Sequence, residues 1–214
     1  RGKIFTKIGR EIAIAVREGG GNAESNSKLR DVIAKAKSNN MPNDNISRSI
    51  KKAAGELGNV VYVEINYEGY APGGVAVIVE CISDNRNRTA SDVRHCFAKN
   101  DGTLGVTGSV SFMFDKKGVL VVPRTADMDE DEMMMRVLDA GAEDMQVLDD
   151  AFEITTDPGE FSAIREKLEG EGLEFLSAEV QMIPQNTVTP SEENIEKIQN
   201  LLEMLEDNDD VQNV

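Results

Sequence analysis

The chain has 214 residues, more than one ordinary domain needs, and 40 % of them are apolar, enough for packed cores without a single Trp. No run approaches the ~20 apolar residues of a transmembrane helix, no signal peptide is visible, and two cysteines are too few for a disulfide scaffold. The expectation is a cytoplasmic protein whose formal net charge of −16 is unevenly spread. Residues 1–57 hold twelve Lys and Arg against six Asp and Glu, and residues 58–117 hold six against seven. Residues 118–184 hold four against eighteen, and residues 185–214 hold one against eight. Such asymmetry points to one part of the chain meeting a polyanion while the others do not.

Residues 3–18 are predicted helical. Ile4, Phe5, Ile8, Ile12, Ala15 and Val16 recur at helical spacing as one apolar face. Lys3, Lys7, Arg10 and Arg17 stand at offsets of 0, 4, 7 and 14 and form a basic stripe. Gly19-Gly20-Gly21 ends the helix. A second helix covers about 26–38, with Leu29, Val32, Ile33 and Ala36 inward and Lys28, Arg30, Lys35 and Lys37 outward. Asn39-Asn40-Met41-Pro42 breaks it. A third helix, capped by Asn43 or Asp44, runs to about Ala54, with Ile46, Ile50 and Ala53 inward and Arg48, Lys51 and Lys52 outward. Three short amphipathic helices make a small domain. Its bases either solvate the outer faces or form a polyanion-binding face; the stripe and the two-to-one excess of base favour the second. No convincing helix-turn-helix and no dimer-forming heptads stand out, so a monomer is expected.

Gly55 to Asn59 reads as a linker and Val60 to Tyr67 as a strand. Gly69-Tyr70-Ala71-Pro72-Gly73-Gly74 is a turn cluster. Val75 to Ser83 is apolar but for Glu80, as in a strand buried on both faces. It delivers Arg86 and Arg88 to the start of a helix over 88–99, at a sheet end, where sites are often built. These arginines either pair internally with Glu80, Asp84 or Asp92, or contact a partner together with Arg94; the pattern leaves both open. Val93, Cys96 and Phe97 should face inward, and Arg94, His95 and Lys99 outward. Cys81 and Cys96 look like unpaired core residues. His95 is the only histidine, with no nucleophile motif to serve, and no zinc-ligand spacing exists. The glycine-rich stretch Gly102–Gly108 lacks the G-K-[ST] ending and precedes a predicted strand, Ser109–Phe114. It reads as a flexible loop able to meet a partner backbone.

Residues 118–184 predict a strand at Val119–Val122, a helix at Asp129–Ala140 and a hairpin of Met145–Leu148 with Phe152–Thr155. A helix at Pro158–Glu169 and a strand at Leu173–Ile183 follow, giving βαββαβ, the ferredoxin-like order. Pro158 suits a first helical position. The acids of 127–132 lack EF-hand spacing and suit a helix start instead. Met133-Met134-Met135 reads as core filler. After the linker 184–190, Ser191 caps a helix to about Leu205, with Ile195, Ile198, Leu201, Leu202 and Leu205 inward, and a final strand follows at Val211. That helix needs a sheet to cover, so the C-terminal segment should return to the middle domain.

Several stretches together resemble one family. Tyr67-Glu68-Gly69-Tyr70, Pro72-Gly73-Gly74 and Ser83-Asp84-Asn85-Arg86-Asn87-Arg88-Thr89 are similar to the signature of the YebC/PmpR family. Arg1-Gly2-Lys3-Ile4-Phe5-Thr6-Lys7, Asn40-Met41-Pro42, Val93-Arg94-His95 and Gly108-Ser109-Val110-Ser111-Phe112 agree with it. The resemblance covers essentially the whole chain. It departs in lacking a basic stretch that the family carries ahead of Arg1-Gly2-Lys3, and in stopping short of the family's last residues. It implies three domains and a non-enzymatic regulator of gene expression, described either as a DNA-binding transcriptional regulator or as a translational activator on the ribosome.

The expected fold is α+β in three domains. These are a basic helical domain (1–57), a ββαβ…αβ middle domain (58–117 plus 185–214) and an inserted acidic ferredoxin-like βαββαβ domain (118–184). No enzyme constellation, cofactor fingerprint or metal-ligand set is visible. The expected partner is nucleic acid, DNA or rRNA, since both present phosphate backbones. The candidate contacts are the eleven bases named on the three N-terminal helices together with Arg86, Arg88 and Arg94.

Overall fold

The structure is a computed structural model that describes residues 2–55 and 60–214. The predicted linker therefore lies outside the described residues, apart from Gly55. In chain order the helices are α1 (Gly2–Gly19), α2 (Ser27–Ser38), α3 (Asn43–Ala53), α4 (Arg86–Lys99), α5 (Glu130–Asp139), α6 (Phe161–Gly170) and α7 (Glu192–Asp207). The strands are β1 (Val63–Ala71), β2 (Val75–Ser83), β3 (Thr103–Leu104), β4 (Phe114–Pro123), β5 (Asp144–Val147), β6 (Ala151–Thr156), β7 (Ser177–Pro184) and β8 (Val211–Asn213). The chain divides into two compact units. One runs from the N-terminus to Met113 and resumes over Asn186–Val214; the other is Phe114–Gln185. No helix among the described residues is long and apolar enough to cross a membrane.

In the first unit α1, α2 and α3 pack around Ile8, Ile12, Ala15, Leu29, Ala36, Met41 and Ile46. Asn26 joins the first two helices. Its Oδ1 accepts the Leu29 N–H at 3.0 Å, capping α2, while Nδ2 donates to the Ala15 and Gly20 carbonyls at 2.8 and 2.9 Å. A Cβ at Gly19 would lie 2.7 Å from Asn26, so the close exit of α1 requires glycine. Pro42, not Asn43 or Asp44, occupies the cap position of α3; its side chain carries no acceptor, so it makes no cap bond.

The same unit holds a four-stranded antiparallel sheet in the order β3-β1-β2-β8. One face is covered by α4 and α7, through Val77, Val79, Cys81, Val93, Cys96, Phe97, Leu201, Leu205 and Val211. The C-terminal segment returns to this sheet, with Val211 beside Cys81. Both thiols are free and buried, and burial pushes Cys81 up to about 12. Ser191 stands at the cap of α7 without a side-chain bond, and Ile195 is exposed rather than inward.

Two predictions around the turn cluster are corrected. β1 continues through Ala71, so Gly69 is a strand residue and only 72–74 turn. A Cβ on Gly69 would meet the Thr103 carbonyl at 2.5 Å and the Phe97 ring at 2.9 Å. Gly69 is there for a close approach, not for bending. Downstream, Gly102–Gly108 is not an open loop and Ser109–Phe114 is not a strand. Thr103–Leu104 pairs with β1, and Ser111–Met113 is a short 3₁₀ turn. The buried Glu68 carboxylate explains this: it accepts the N–H groups of Gly108, Val110 and Ser111 at 2.7, 3.0 and 2.6 Å, donors that a strand would need.

The second unit is β4-α5-β5-β6-α6-β7, with strand order β5-β6-β4-β7 and all neighbours antiparallel, the ferredoxin-like arrangement. Leu120, Phe152, Ile154, Ile164 and Leu168 fill its core. β4 is one ten-residue strand where sequence reading saw only Val119–Val122. Asp129 caps α5 by accepting from Asp131 and Glu132, which accounts for that acidic start. Met133 is buried and Met134 packs on the core, but Met135 is 66 % exposed. α6 begins at Phe161, not Pro158, because Asp157 Oδ1 accepts the Gly159 N–H and holds Pro158 in a turn. Strand β7 starts at Ser177, since Leu173 still closes α6 by donating to Leu168 after Gly172 at φ +95°.

The self-contained core of Phe114–Gln185 predicts that this segment expressed alone melts cooperatively and ignores nucleic acid. Circular dichroism showing a disordered fragment would contradict the boundary.

Candidate nucleic-acid interface

Each base of the α1 stripe has an internal partner, although Lys3 and Arg17 remain exposed. Lys3 Nζ donates to the Asp207 carbonyl at 2.9 Å and lies 3.0 Å from its Oδ1; Lys7 Nζ donates to the Glu206 carbonyl at 2.6 Å. Both acceptors close α7, where helix carbonyls lack partners and the dipole is negative, so the lysines cap it. Arg17 Nη1 donates to the Tyr62 carbonyl at 2.8 Å. Arg10 Nη1 donates to the Ile82 carbonyl at 2.9 Å and to Asp210 Oδ1 at 2.6 Å, with its guanidinium 5.2 Å from the Tyr62 ring centre. The α1 bases hold the helical bundle against the sheet.

Asp210 is the centre of that junction. It is 2 % exposed. Arg88 engages it with a fork, Nε to Oδ2 at 3.1 Å and Nη2 to Oδ1 at 2.8 Å, and the Thr89 hydroxyl donates to Oδ2 at 2.8 Å. Arg88 also pairs with Asp84 at 2.7 Å. Burial alone would raise the Asp210 pKa, but the hydrogen bonds from Arg88, Arg10 and Thr89 outweigh it and hold the carboxyl below its ordinary value. Asn85 caps α4 by accepting the Arg88 N–H, which sets the helix start that aims this fork. Of the internal partners expected for Arg88, Asp84 is real; Asp210 was missed. Its only signal in sequence was membership of the acidic run 207–210.

The remaining candidates separate into two sets. Lys28 pairs with Glu18 at 2.7 Å, Lys35 with Glu11 at 3.1 Å, and Arg30 donates to the Ala23 and Glu24 carbonyls. Lys37, Arg48, Lys51, Lys52, Arg86 and Arg94 are exposed and make no hydrogen bond or ion pair among the described residues. Arg48, Lys51 and Lys52 share one face of α3. This helix follows α2 after the four-residue break 39–42, in which Asn40 takes a left-handed φ of 62°. Helix, short break and helix follow one another here as the sequence predicts. Arg86 and Arg94 both act on the Tyr67 hydroxyl, opposing the rise in its pKa that burial and Cys81 cause. His95 is exposed beside them. Among the described residues no group of three or more His, Cys, Asp or Glu could hold a metal.

Removing a partner from a buried ion pair leaves an unpaired charge. Asp210→Ala should therefore lower stability by about 3 kcal/mol, and Arg88→Lys should lower Tm where Arg86→Lys leaves it unchanged. Because the Asp210 pKa is depressed, its contribution is complete above the unfolded-state value of ~3.9 and is lost as pH falls through the folded value. Denaturant melts below about pH 4 should show this loss, and Asp210→Asn should flatten it. Equal Tm values for Arg88→Lys and the parent would contradict the network.

Comparison with known proteins agrees with this architecture. Residues 1–56 match the family described as TACO1/YebC protein N-terminal domain, and residues 62–214 match TACO1/YebC second and third domain. A protein of Clostridium novyi, named "probable transcriptional regulatory protein", is 59 % identical over 214 residues, covering 100 % of this chain and 87 % of its own. A protein of Acetivibrio thermocellus with the same name is 60 % identical over 215 residues, covering 100 % and 89 %. The crystal structure of a conserved hypothetical protein from Aquifex aeolicus matches with a TM-score of 0.89 and 46 % identity, over 100 % of this chain and 88 % of that one. With both of its described parts matched by the same family, the chain belongs to the TACO1/YebC family.

Proposed function

We propose that the chain is a cytoplasmic, non-enzymatic regulator of gene expression that binds nucleic acid through the outer face of α3, with duplex DNA as its target. The observation that carries this reading is that Arg48, Lys51 and Lys52 stand exposed and unpartnered on one helix face. The α1 stripe is occupied internally. The helix–turn–helix order of α2 and α3 supports it, since such a second helix can enter a major groove. Lys37, Arg86 and Arg94 are further available bases. The regulatory names of the relatives agree with it.

A second reading, a translation factor on ribosomal RNA, is favoured by the acidic unit. Phe114–Gln185 holds six Lys and Arg against nineteen Asp and Glu. That surface repels duplex phosphates and is complementary to basic ribosomal proteins.

Each lost phosphate contact lowers the slope of log Kobs against log salt by about 0.9. The triple change Arg48→Ala, Lys51→Ala and Lys52→Ala should therefore reduce that slope by about two to three units with an unchanged Tm. Lys3→Ala and Lys7→Ala should lower Tm instead. An unaltered slope in the folded triple variant removes α3 from the interface. Promoter DNA and purified ribosomes, titrated at matched salt, decide between the two targets.

A further inference from the structure

One edge of the acidic unit's sheet is open. β5 is the outermost strand in the order β5-β6-β4-β7, and among the described residues only β6 pairs with it. The Leu148 N–H donates to the Ala151 carbonyl across the turn Asp149-Asp150. Antiparallel ladders alternate bonded and unbonded residues, so Leu148, Gln146 and Asp144 bond to β6, and the N–H and C=O groups of Met145 and Val147 point away from it. The side chains alternate as well. Met145 is buried in a core that it shares with Met133 and Val137 of α5. Val147 lies on the same face of the strand, yet it is 38 % exposed. Leu148 just beyond it and Leu138 on α5 are exposed too. Asp144 and Gln146 stand exposed on the opposite face.

Charge decides what can add to this edge. Residues 139–150 hold five acids and no Lys or Arg. Glu143 is paired with Lys117 at 2.7 Å, but Asp139, Asp144, Asp149 and Asp150 are exposed and make no ion pair among the described residues. A second copy of the chain would bring the same acids to the ladder, where like charges opposite each other are destabilising. Charges of this kind keep an edge strand from pairing with its own copy, and they repel phosphates in the same way. A basic strand meets the reverse. On one face its Lys or Arg side chains fall beside Asp144, and on the other its alternate residues fall beside Val147.

We propose that the β5 edge is a docking site for an extended segment of a partner protein in which Lys or Arg alternates with apolar residues. The added strand takes the free amides and carbonyls of Met145 and Val147, which supply affinity, and the alternation of its side chains supplies specificity. β5 has only four residues, so the contact is a transient one, smaller than the roughly 1,000 Å² of a stable interface. Docking here is independent of nucleic-acid binding by α3 and gives the acidic unit a partner of its own.

The test uses the full chain and a synthetic peptide of about seven residues that alternates Lys and Val. Hydrogen exchange followed by NMR should show the Met145 and Val147 amides exchanging faster than those of Gln146 and Leu148 in the protein alone, and slowing about 10-fold when the peptide is added. The same peptide N-methylated at alternate residues keeps its charge and its apolar side chains but loses the donors of one edge, and should bind about 10-fold more weakly. Val147→Pro removes one outward N–H without touching the β6 ladder, and should weaken the unmethylated peptide by a similar factor at an unchanged Tm. If that variant does not fold, the methylated peptide still decides. Equal binding of the two peptides, or amides left unprotected by the unmethylated one, reduces the contact to charge alone and overturns the docking site, as does a peptide that fails to bind. Protection of both amides in the free protein, with sedimentation as a dimer, puts a second copy on the edge and overturns it too. Duplex binding measured on the same samples reports on α3 alone, so either reading can fall without the other.

Discussion

A single buried carboxylate organises the larger unit. Asp210 lies four residues from the C-terminus of the chain, yet it receives Arg10 from α1 and Arg88 from α4. Ion pairs this buried recover their desolvation cost only when geometry is good and every lone pair is used. Here the fork of Arg88, the hydroxyl of Thr89 and the Arg10 Nη1 meet that condition. The Asp210 carbonyl also accepts the Ile82 N–H at 2.8 Å, fastening the same residue to β2. Three elements far apart in sequence are thereby fixed to one point, and the last strand is part of the scaffold rather than a loose end.

That junction changes the meaning of charge in the N-terminal helices. An excess of base over acid need not be a nucleic-acid face, because seven of the eleven candidate bases on these helices have partners inside the protein. Lys3 and Lys7 neutralise the negative end of α7, and Arg10 and Arg17 reach carbonyls and a carboxylate of the neighbouring sheet region. What is left for a partner is smaller and better defined: the outer face of α3, Lys37 beside it in sequence order, and Arg86 and Arg94 on α4. Asp207 and Asp210 of the C-terminal segment are internal counter-charges for Lys3 and Arg10 of α1.

Glu68 plays a similar part on a smaller scale. Three amides turned toward one carboxylate replace the ladder that a strand at 109–114 would have formed. The substitution converts a glycine-rich stretch into a fixed loop. It costs a buried charge, which the donors offset, and it leaves Val106 and Phe112 outside any core.

Local pattern alone determined much of this protein. The apolar spacing of Ile8, Ile12 and Ala15, the apolar run Val75–Ser83 and the order of strands and helices after residue 114 each follow from side-chain periodicities in the local sequence. Helix ends were less legible, since Pro42 and Pro158 sit near starts for reasons set by neighbouring backbone bonds. Which bases are free was not legible at all. Helical spacing shows that Lys3, Lys7, Arg10 and Arg17 lie on one stripe, but not that residues about 200 positions later in the chain supply acceptors for three of them. Pairing depends on where the chain returns in space, and only the tertiary structure decides that. The same holds for Arg88 and Arg86, two residues apart and both exposed: one is forked onto Asp210 and the other makes no hydrogen bond or ion pair among the described residues.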